Sequence, residues 1–341
     1  MADKILEVKD LRVSYHTYAG EVQSVRGVSF DVERGETVAI VGESGCGKSV
    51  TAKSIMGLIA KPGRIKEGSQ ILFDGRDILK MNKKELRAYR GMECAMIFQD
   101  ALTSLDPTMK VGKQIAEVLR VHGKAGKKEA DAKAVELLRQ VGIPNPERRA
   151  QEYPHQFSGG MRQRAMIATA LAGGPKLLIA DEPTTALDVT IQAQIMDLMK
   201  AMQREMGAAI VLITHDLGVV ADIANRICVM YSGKIVERGL ARDIFYRPRH
   251  PYTISLLKAV PRLDLKNKQM LATIDGTPPD LLRPPAGCPF CTRCKYCMPI
   301  CKEEMPPATG FGSGHEASCW LHDARAPQVE GLFRDEKEER T

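Results

Sequence analysis

Gly42-Glu43-Ser44-Gly45-Cys46-Gly47-Lys48-Ser49 is the stretch that decides the fold. It follows the apolar segment Thr37–Val41 and precedes a helix-like pattern, the strand–loop–helix setting that a phosphate-binding loop requires. Glycines let the backbone fold tightly, so that successive N–H groups converge on a phosphate. Lys48 adds positive charge between β- and γ-phosphates, and the Ser49 hydroxyl is a candidate Mg2+ ligand. A glycine turn that matches by chance is the plain alternative; the strand before it and the Lys-Ser after it argue against that. The protein is expected to bind a nucleoside triphosphate through Gly42, Ser44, Gly45, Cys46, Gly47, Lys48 and Ser49.

Downstream, Leu177-Leu178-Ile179-Ala180-Asp181-Glu182 ends a buried-type strand on two adjacent carboxylates. There Asp181 is expected to hold Mg2+, and Glu182 to polarise the attacking water as general base. Ile213-Thr214-His215-Asp216 ends the next apolar run, where His215 is placed to hydrogen-bond a γ-phosphate and position the water. A lone histidine is usually structural, so its weight comes from its place in this set. Gln99, after Met96-Ile97-Phe98, offers a neutral amide to Mg2+ or water. A second anion site is expected at Ser158-Gly159-Gly160, where a hydroxyl and two glycines open a helix with free N–H groups. Since one loop already holds the phosphates, this second site makes sense if it closes over nucleotide on another subunit.

Around these motifs the pattern is α/β. Residues 5–40 alternate apolar and polar positions and read as an antiparallel β region. The phosphate loop opens a helix expected to run through about Ile59. Residues from about 82 to 175 read as mostly helical, with Ala134, Leu137, Leu138 and Val141 on one face. The runs Leu177–Ala180 and Ala209–Thr214 flank a helical stretch, Ile191–Met206, which argues for a parallel sheet with ligands at its carboxyl ends. A Pro-rich connector, Thr277–Pro285, leads to a cysteine-rich tail.

With 341 residues the chain has room for two domains, because single cores stop growing near ~250–300 residues. Its net charge of +7 is modest and dispersed, and does not by itself argue for a nucleic-acid or membrane-surface partner. The longest apolar stretches fall short of the ~20 residues that a bilayer helix needs. The N-terminus lacks the apolar core of a secretion signal, so a cytoplasmic location is expected.

Taken together, the motifs resemble an ATP-binding-cassette (ABC) ATPase over roughly residues 5–255. Residues 42–49 match that family's Walker A, 177–182 its Walker B with catalytic glutamate, and 157–161 its signature. Gln99, Ala186-Leu187-Asp188 and His215 fall where its Q-loop, D-loop and switch histidine belong. The signature reads Phe157-Ser-Gly-Gly-Met161 in place of the commoner Leu-Ser-Gly-Gly-Gln, keeping the anion-binding part. Tyr15 resembles the aromatic that stacks on adenine, with Tyr18 near enough to compete. The resemblance implies a RecA-like α/β core in residues 1–255, carrying an antiparallel β subdomain and a helical subdomain (about 100–175). Two such chains would close head to tail on two ATPs, each with Mg2+.

Six of the nine cysteines crowd between Cys288 and Cys319. Read alone, Cys291-x2-Cys294-x2-Cys297-x3-Cys301 fits a ferredoxin [4Fe–4S] spacing, although Lys302 stands where that pattern has proline. The tail also resembles the C-terminal extension of oligopeptide and dipeptide importer ATPases. That resemblance implies a small metal- or cluster-bound extension (256–341) whose iron–sulfur ligands are Cys288, Cys294, Cys301 and Cys319. Cys291 and Cys297 are then alternates, and Zn2+ is the alternative metal for four thiolates. It further implies two transmembrane permeases, an extracytoplasmic peptide-binding protein and a second, similar ATPase, with this protein on the cytoplasmic face of the membrane. Importers of nickel or other small solutes are the near alternative. A soluble ABC ATPase acting on nucleic acid or ribosomes is the distant one, and no nucleic-acid partner is expected.

Overall fold

Alternating burial along β1 (Lys4–Thr17) and β2 (Gly20–Glu33) gives an antiparallel pair with Val8 opposite Phe30 and Val13 opposite Val25. The computed structural model describes residues 3–185, 187–259 and 274–333. β3 (Thr37–Val41) is buried along its whole length, as a strand covered on both faces must be. β4 (Gly63–Ile65), β5 (Gln70–Phe73) and β6 (Arg76–Asp77) complete a five-stranded sheet with β1 and β2.

β7 (Cys94–Ile97), β8 (Leu177–Asp181), β9 (Ala209–Thr214) and β10 (Arg226–Tyr231) join β3 in the second sheet, in the order β10-β3-β9-β8-β7. Every pairing in that stretch is parallel. Its carboxyl edge therefore presents residues 42–49, Gln99, Glu182 and His215 side by side, where open α/β sheets bind ligands. β11 (Lys234–Leu240) adds antiparallel to β10. Two short strands from the tail, β12 (Thr309–Gly310) and β13 (Glu316–Ala317), continue the same sheet through β13 on β11. The cysteine-rich tail is thus built onto the main sheet.

Three hydrophobic clusters hold these layers. One joins the helical region to a face of the parallel sheet, and includes Ala134, Leu137, Leu138, Val141 and Phe157. A second lies between the antiparallel sheet and the parallel one and takes in Cys46. The third joins Val41, Val229 and Tyr231 to Tyr252, Phe290 and three cysteines of the tail, Cys288, Cys291 and Cys301.

Three expectations change. The helix after the phosphate loop spans Lys48–Ile55 and stops short of Ile59, because Gly57 turns the backbone at φ +63°. The part of residues 5–40 from Thr37 onward belongs to the parallel sheet. Finally, the stretch expected to be helical from about 82 to 175 contains strand β7, an apolar run of four residues that pairs with β8. Helices Val111–Val121, Lys127–Gln140 and Gly159–Leu171 are the longest helices of that stretch.

Candidate active site

The phosphate loop has the conformation its glycines allow. Gly42 and Gly47 lie at φ +152° and +106°, and a Cβ on them would stand 2.1 Å from the Met230 carbonyl oxygen and 2.4 Å from that of Ser24. No other residue fits either place. The Lys48 ammonium is buried inside the loop and donates to the carbonyls of Gly42 (2.8 Å) and Glu43 (3.0 Å). Ser44 and Gly45 sit at the tip of the same loop, with Gly45 also at positive φ.

Ser49 Oγ donates to Asp181 Oδ1 at 2.8 Å, joining the loop to the end of β8. Burial pushes the Asp181 carboxyl above its ordinary pKa and the neighbouring Glu182 charge acts in the same direction, while the Ser49 bond opposes them. Two hard oxygen donors side by side, one of them a carboxylate in a desolvated setting, suit Mg2+.

Glu182 is the residue on which the other motifs converge. Its backbone is left-handed (φ +50°), a conformation that a non-glycine residue holds only when its surroundings impose it. The Ile213 carbonyl accepts its N–H at 2.8 Å. Its carboxylate accepts from Gln99 Nε2 (3.0 Å) and Thr185 Oγ1 (2.9 Å), and His215 Nδ1 stands 3.5 Å away. Gln99 and His215 are exposed, whereas the Glu182 side chain is largely covered. The structure therefore brings Gln99 to the carboxylate of Glu182; no hydrogen bond joins it to Ser49 or Asp181 among the described residues.

The signature lies on a different layer. Ser158 caps helix Gly159–Leu171 by accepting from Met161 N (3.3 Å), and Ser158 and Gly159 are exposed. Phe157 anchors this end in the helical cluster. Asp188 caps helix Val189–Met206, accepting from Ile191 N at 2.9 Å; Ala186 lies outside the described residues. Tyr15 sits half-buried on β1 opposite Val22 and Gly63, while Tyr18 projects fully into solvent at the hairpin turn.

Three supporting residues carry no motif of their own in the sequence. Thr185 lies in the Pro-Thr-Thr run after the acids and reaches back to Glu182. Gln163, one helical turn into the signature helix, is buried and donates to the Pro183 carbonyl at 2.6 Å, tying that helix to the end of β8. Tyr252 accepts the backbone N–H of Glu43 on its hydroxyl at 3.0 Å.

In the tail, Cys288, Cys291, Cys294, Cys301 and Cys319 line one small apolar cavity, with His250 beside them. Cys297 is not among the residues lining it. Burial raises the thiols of Cys288 and Cys319 to about 12 and that of Cys294 to about 11. No group of three or more His, Cys, Asp or Glu side chains is arranged to hold a metal ion among the described residues. The expected ligand set of Cys288, Cys294, Cys301 and Cys319 is gathered in one place, but it is not assembled as a coordination site.

The comparisons with known proteins agree with this geometry. The family described as ABC transporter matches residues 25–185, and the oligopeptide/dipeptide transporter C-terminal region matches residues 236–301. The oligopeptide transport ATP-binding protein OppD of Bacillus subtilis is 56% identical over 96% of this chain and 91% of its own length. The dipeptide transport ATP-binding protein DppD of the same organism is 55% identical over 95% of this chain and 96% of its own. OppD of Escherichia coli is 53% identical, covering 94% of each. Among solved structures, the dimeric post-hydrolysis state of the ATP-binding cassette MJ0796 bound to ADP and Pi superposes with a TM-score of 0.63. It is 28% identical, and the match covers 70% of this chain and 99% of that one. The chain belongs to the ABC transporter family of ATP-hydrolysing proteins, in the branch of the oligopeptide and dipeptide transport ATP-binding proteins.

Proposed function

We propose that this protein is the ATPase subunit that drives uptake of di- and oligopeptides through two partner permeases, fed by an extracytoplasmic peptide-binding protein. The observation that carries hydrolysis is the convergence of Gln99, Thr185 and His215 on Glu182, next to the Ser49–Asp181 pair. Ser49 and Asp181 are the residues that would hold Mg2+, which when bound offsets phosphate charge. Glu182 takes the proton of the attacking water, and Gln99 and His215 fix that water against it. The peptide cargo is supported by the names of the relatives and by the match of residues 236–301.

Among the described residues no helix is long and apolar enough to cross a membrane; the passage for the cargo is assigned to the two permeases. Ser158–Gly160 act on nucleotide held by a second, similar ATPase. Their exposed helix N-terminus, set on a separate layer from the phosphate loop, supports that reading.

In the tail we place a thiolate-held centre, read as a [4Fe–4S] cluster on Cys288, Cys294, Cys301 and Cys319. Its support is the gathering of five thiols in one cavity, together with the buried His250 Nε2, which has no hydrogen-bond partner there. Iron, sulfide and zinc assays on anaerobically prepared protein test it; zinc without sulfide overturns the cluster.

The test of the whole reading is gentle purification of the tagged protein from its own membranes. Two multi-span permeases and a second cassette ATPase are the expected companions, with ATP hydrolysis by the complex stimulated by peptide-loaded binding protein. Recovery with ribosomal proteins or nucleic acid alone overturns the transport reading, and stimulation by nickel but not peptide overturns the cargo.

A further inference from the structure

We propose that Arg293, in the cysteine-rich tail, is a positioning residue for the phosphate loop, and that through it the folded tail sets the affinity of this protein for nucleotide. Arg293 lies between Cys291 and Cys294, and its side chain is 5% exposed. Its Nη1 donates to Glu43 Oε2 at 2.7 Å and to the Tyr231 hydroxyl at 3.1 Å. Nη2 donates to the Ile274 carbonyl and Nε to the Asp275 carbonyl, each at 2.9 Å. The guanidinium also lies over the Tyr231 ring, 5.8 Å from its centroid. One side chain thus ties together the phosphate loop, the end of β10, the residues just before the connector and the cysteine segment.

Glu43 is the second residue of the loop, next to Gly42 and to the carbonyls that hold Lys48. Its carboxylate is fixed by Arg293 and its backbone N–H by the Tyr252 hydroxyl. Both partners follow the catalytic motifs in the sequence. With Nε and Nη2 fixed on the two backbone carbonyls, the rigid planar guanidinium holds Nη1 in one direction toward the Glu43 carboxylate, which a flexible ammonium does not match. The connector is pinned further on as well: the Leu281 carbonyl accepts from Gln23 N (2.9 Å) and that of Pro285 from Arg26 Nη2 (2.7 Å). With residues Glu43–Cys46 and Tyr231 it lines an open cleft of about 310 Å³ beside the loop. A phosphate loop binds through backbone N–H groups, so its affinity depends on being held in shape before ligand arrives. Arg293 and Tyr252 supply that hold from outside the cassette motifs.

The inference rests on residues 42–49 being the nucleotide site, and is independent of the cargo and of the metal content of the tail. The experiment is a cycle of Arg293→Ala, Glu43→Gln and the double variant, with Arg293→Lys as the conservative change, in the purified full-length protein. For each, the Kd of a fluorescent ATP analogue, the KM and kcat of hydrolysis, and the Tm are measured. Both single variants are expected to weaken nucleotide binding and raise KM by about tenfold, with kcat changed less than threefold, since Arg293 touches none of the reacting atoms. The double variant is expected to be no worse than either single one, and Arg293→Lys to recover part of the loss. A lowered Tm with unchanged Kd and KM, or losses that multiply in the double variant, would overturn the proposal. Should Arg293→Ala not fold, Glu43→Gln alone decides, because it removes the same contact from the loop side. If nucleotide binding is absent from the unaltered protein, the site assignment itself fails, an outcome distinct from failure of the Arg293 link.

Discussion

The amide of Gln99 meets the carboxylate of Glu182 at 3.0 Å, although 83 positions separate them in the sequence. The two residues follow the ends of neighbouring parallel strands, β7 and β8, so the sheet register alone brings them together. Gln99 is also followed, one residue on, by the short helix Ala101–Ser104. The Glu182 carboxylate is thus held by this glutamine and by Thr185, with His215 Nδ1 3.5 Å away.

Glu182→Gln keeps the shape of the side chain and removes its basicity. Mg2+-dependent phosphate release is expected to fall by about 10²-fold or more, the usual contribution of a general base, while ATP binding persists. Parallel turnover and equilibrium nucleotide-binding measurements check this. Unchanged hydrolysis would show that the base is elsewhere.

Asp181→Asn separates stability from activity. The folded-state pKa of Asp181 lies above its unfolded value, mainly through burial. The folded protein therefore holds this proton more tightly, and that advantage is complete below the unfolded pKa and lost as pH rises through the folded one. At pH 7 the buried charge is a net cost, so the neutral amide is expected to raise the Tm of the nucleotide-free protein by about 2 °C. The same change is expected to abolish Mg2+-dependent hydrolysis. Thermal unfolding at pH 7 and at pH 4 is the check, with the gain shrinking at the lower pH.

Gly47→Ala probes the loop itself. A Cβ there would lie 2.4 Å from the Ser24 carbonyl oxygen on a backbone at φ +106°. A loss of about 2–4 kcal/mol by denaturant titration, together with loss of nucleotide binding, is expected.

Ser158→Ala removes the cap of the signature helix at Met161 N. Its cost to stability is expected to be about 1 kcal/mol. Because this serine is proposed to serve nucleotide held by the second ATPase, Ser158→Ala is expected to lower hydrolysis by the assembled complex while nucleotide binding by this protein alone is unchanged. Turnover of the reconstituted complex beside equilibrium nucleotide binding by the isolated protein checks this.

The candidate catalytic set is readable in the sequence because its main members are announced locally. Glycine spacing marks 42–49, a buried strand ending in two acids marks 181–182, and an apolar run before a histidine marks 215. Strand β7 is harder to see, since four apolar residues among helix formers carry no periodicity of their own. Strands β12 and β13 have two residues each, too few for any pattern, yet through β13 they attach the tail to the main sheet. The pairing of Arg293 with Glu43 spans 250 positions and leaves no local signal on either side. The cysteines are visible as a crowd, but which thiols share a cavity comes only from the fold: Cys291 lines it and Cys297 does not.

The most direct measurement is ATP-driven uptake of a labelled dipeptide and a labelled longer peptide into vesicles carrying the purified complex. One preparation contains this protein unaltered and the other contains Glu182→Gln. Accumulation with the unaltered protein, reduced at least tenfold by the substitution, is the predicted result. Full ATP hydrolysis with no accumulation of either peptide, or uptake indifferent to the substitution, would contradict the account.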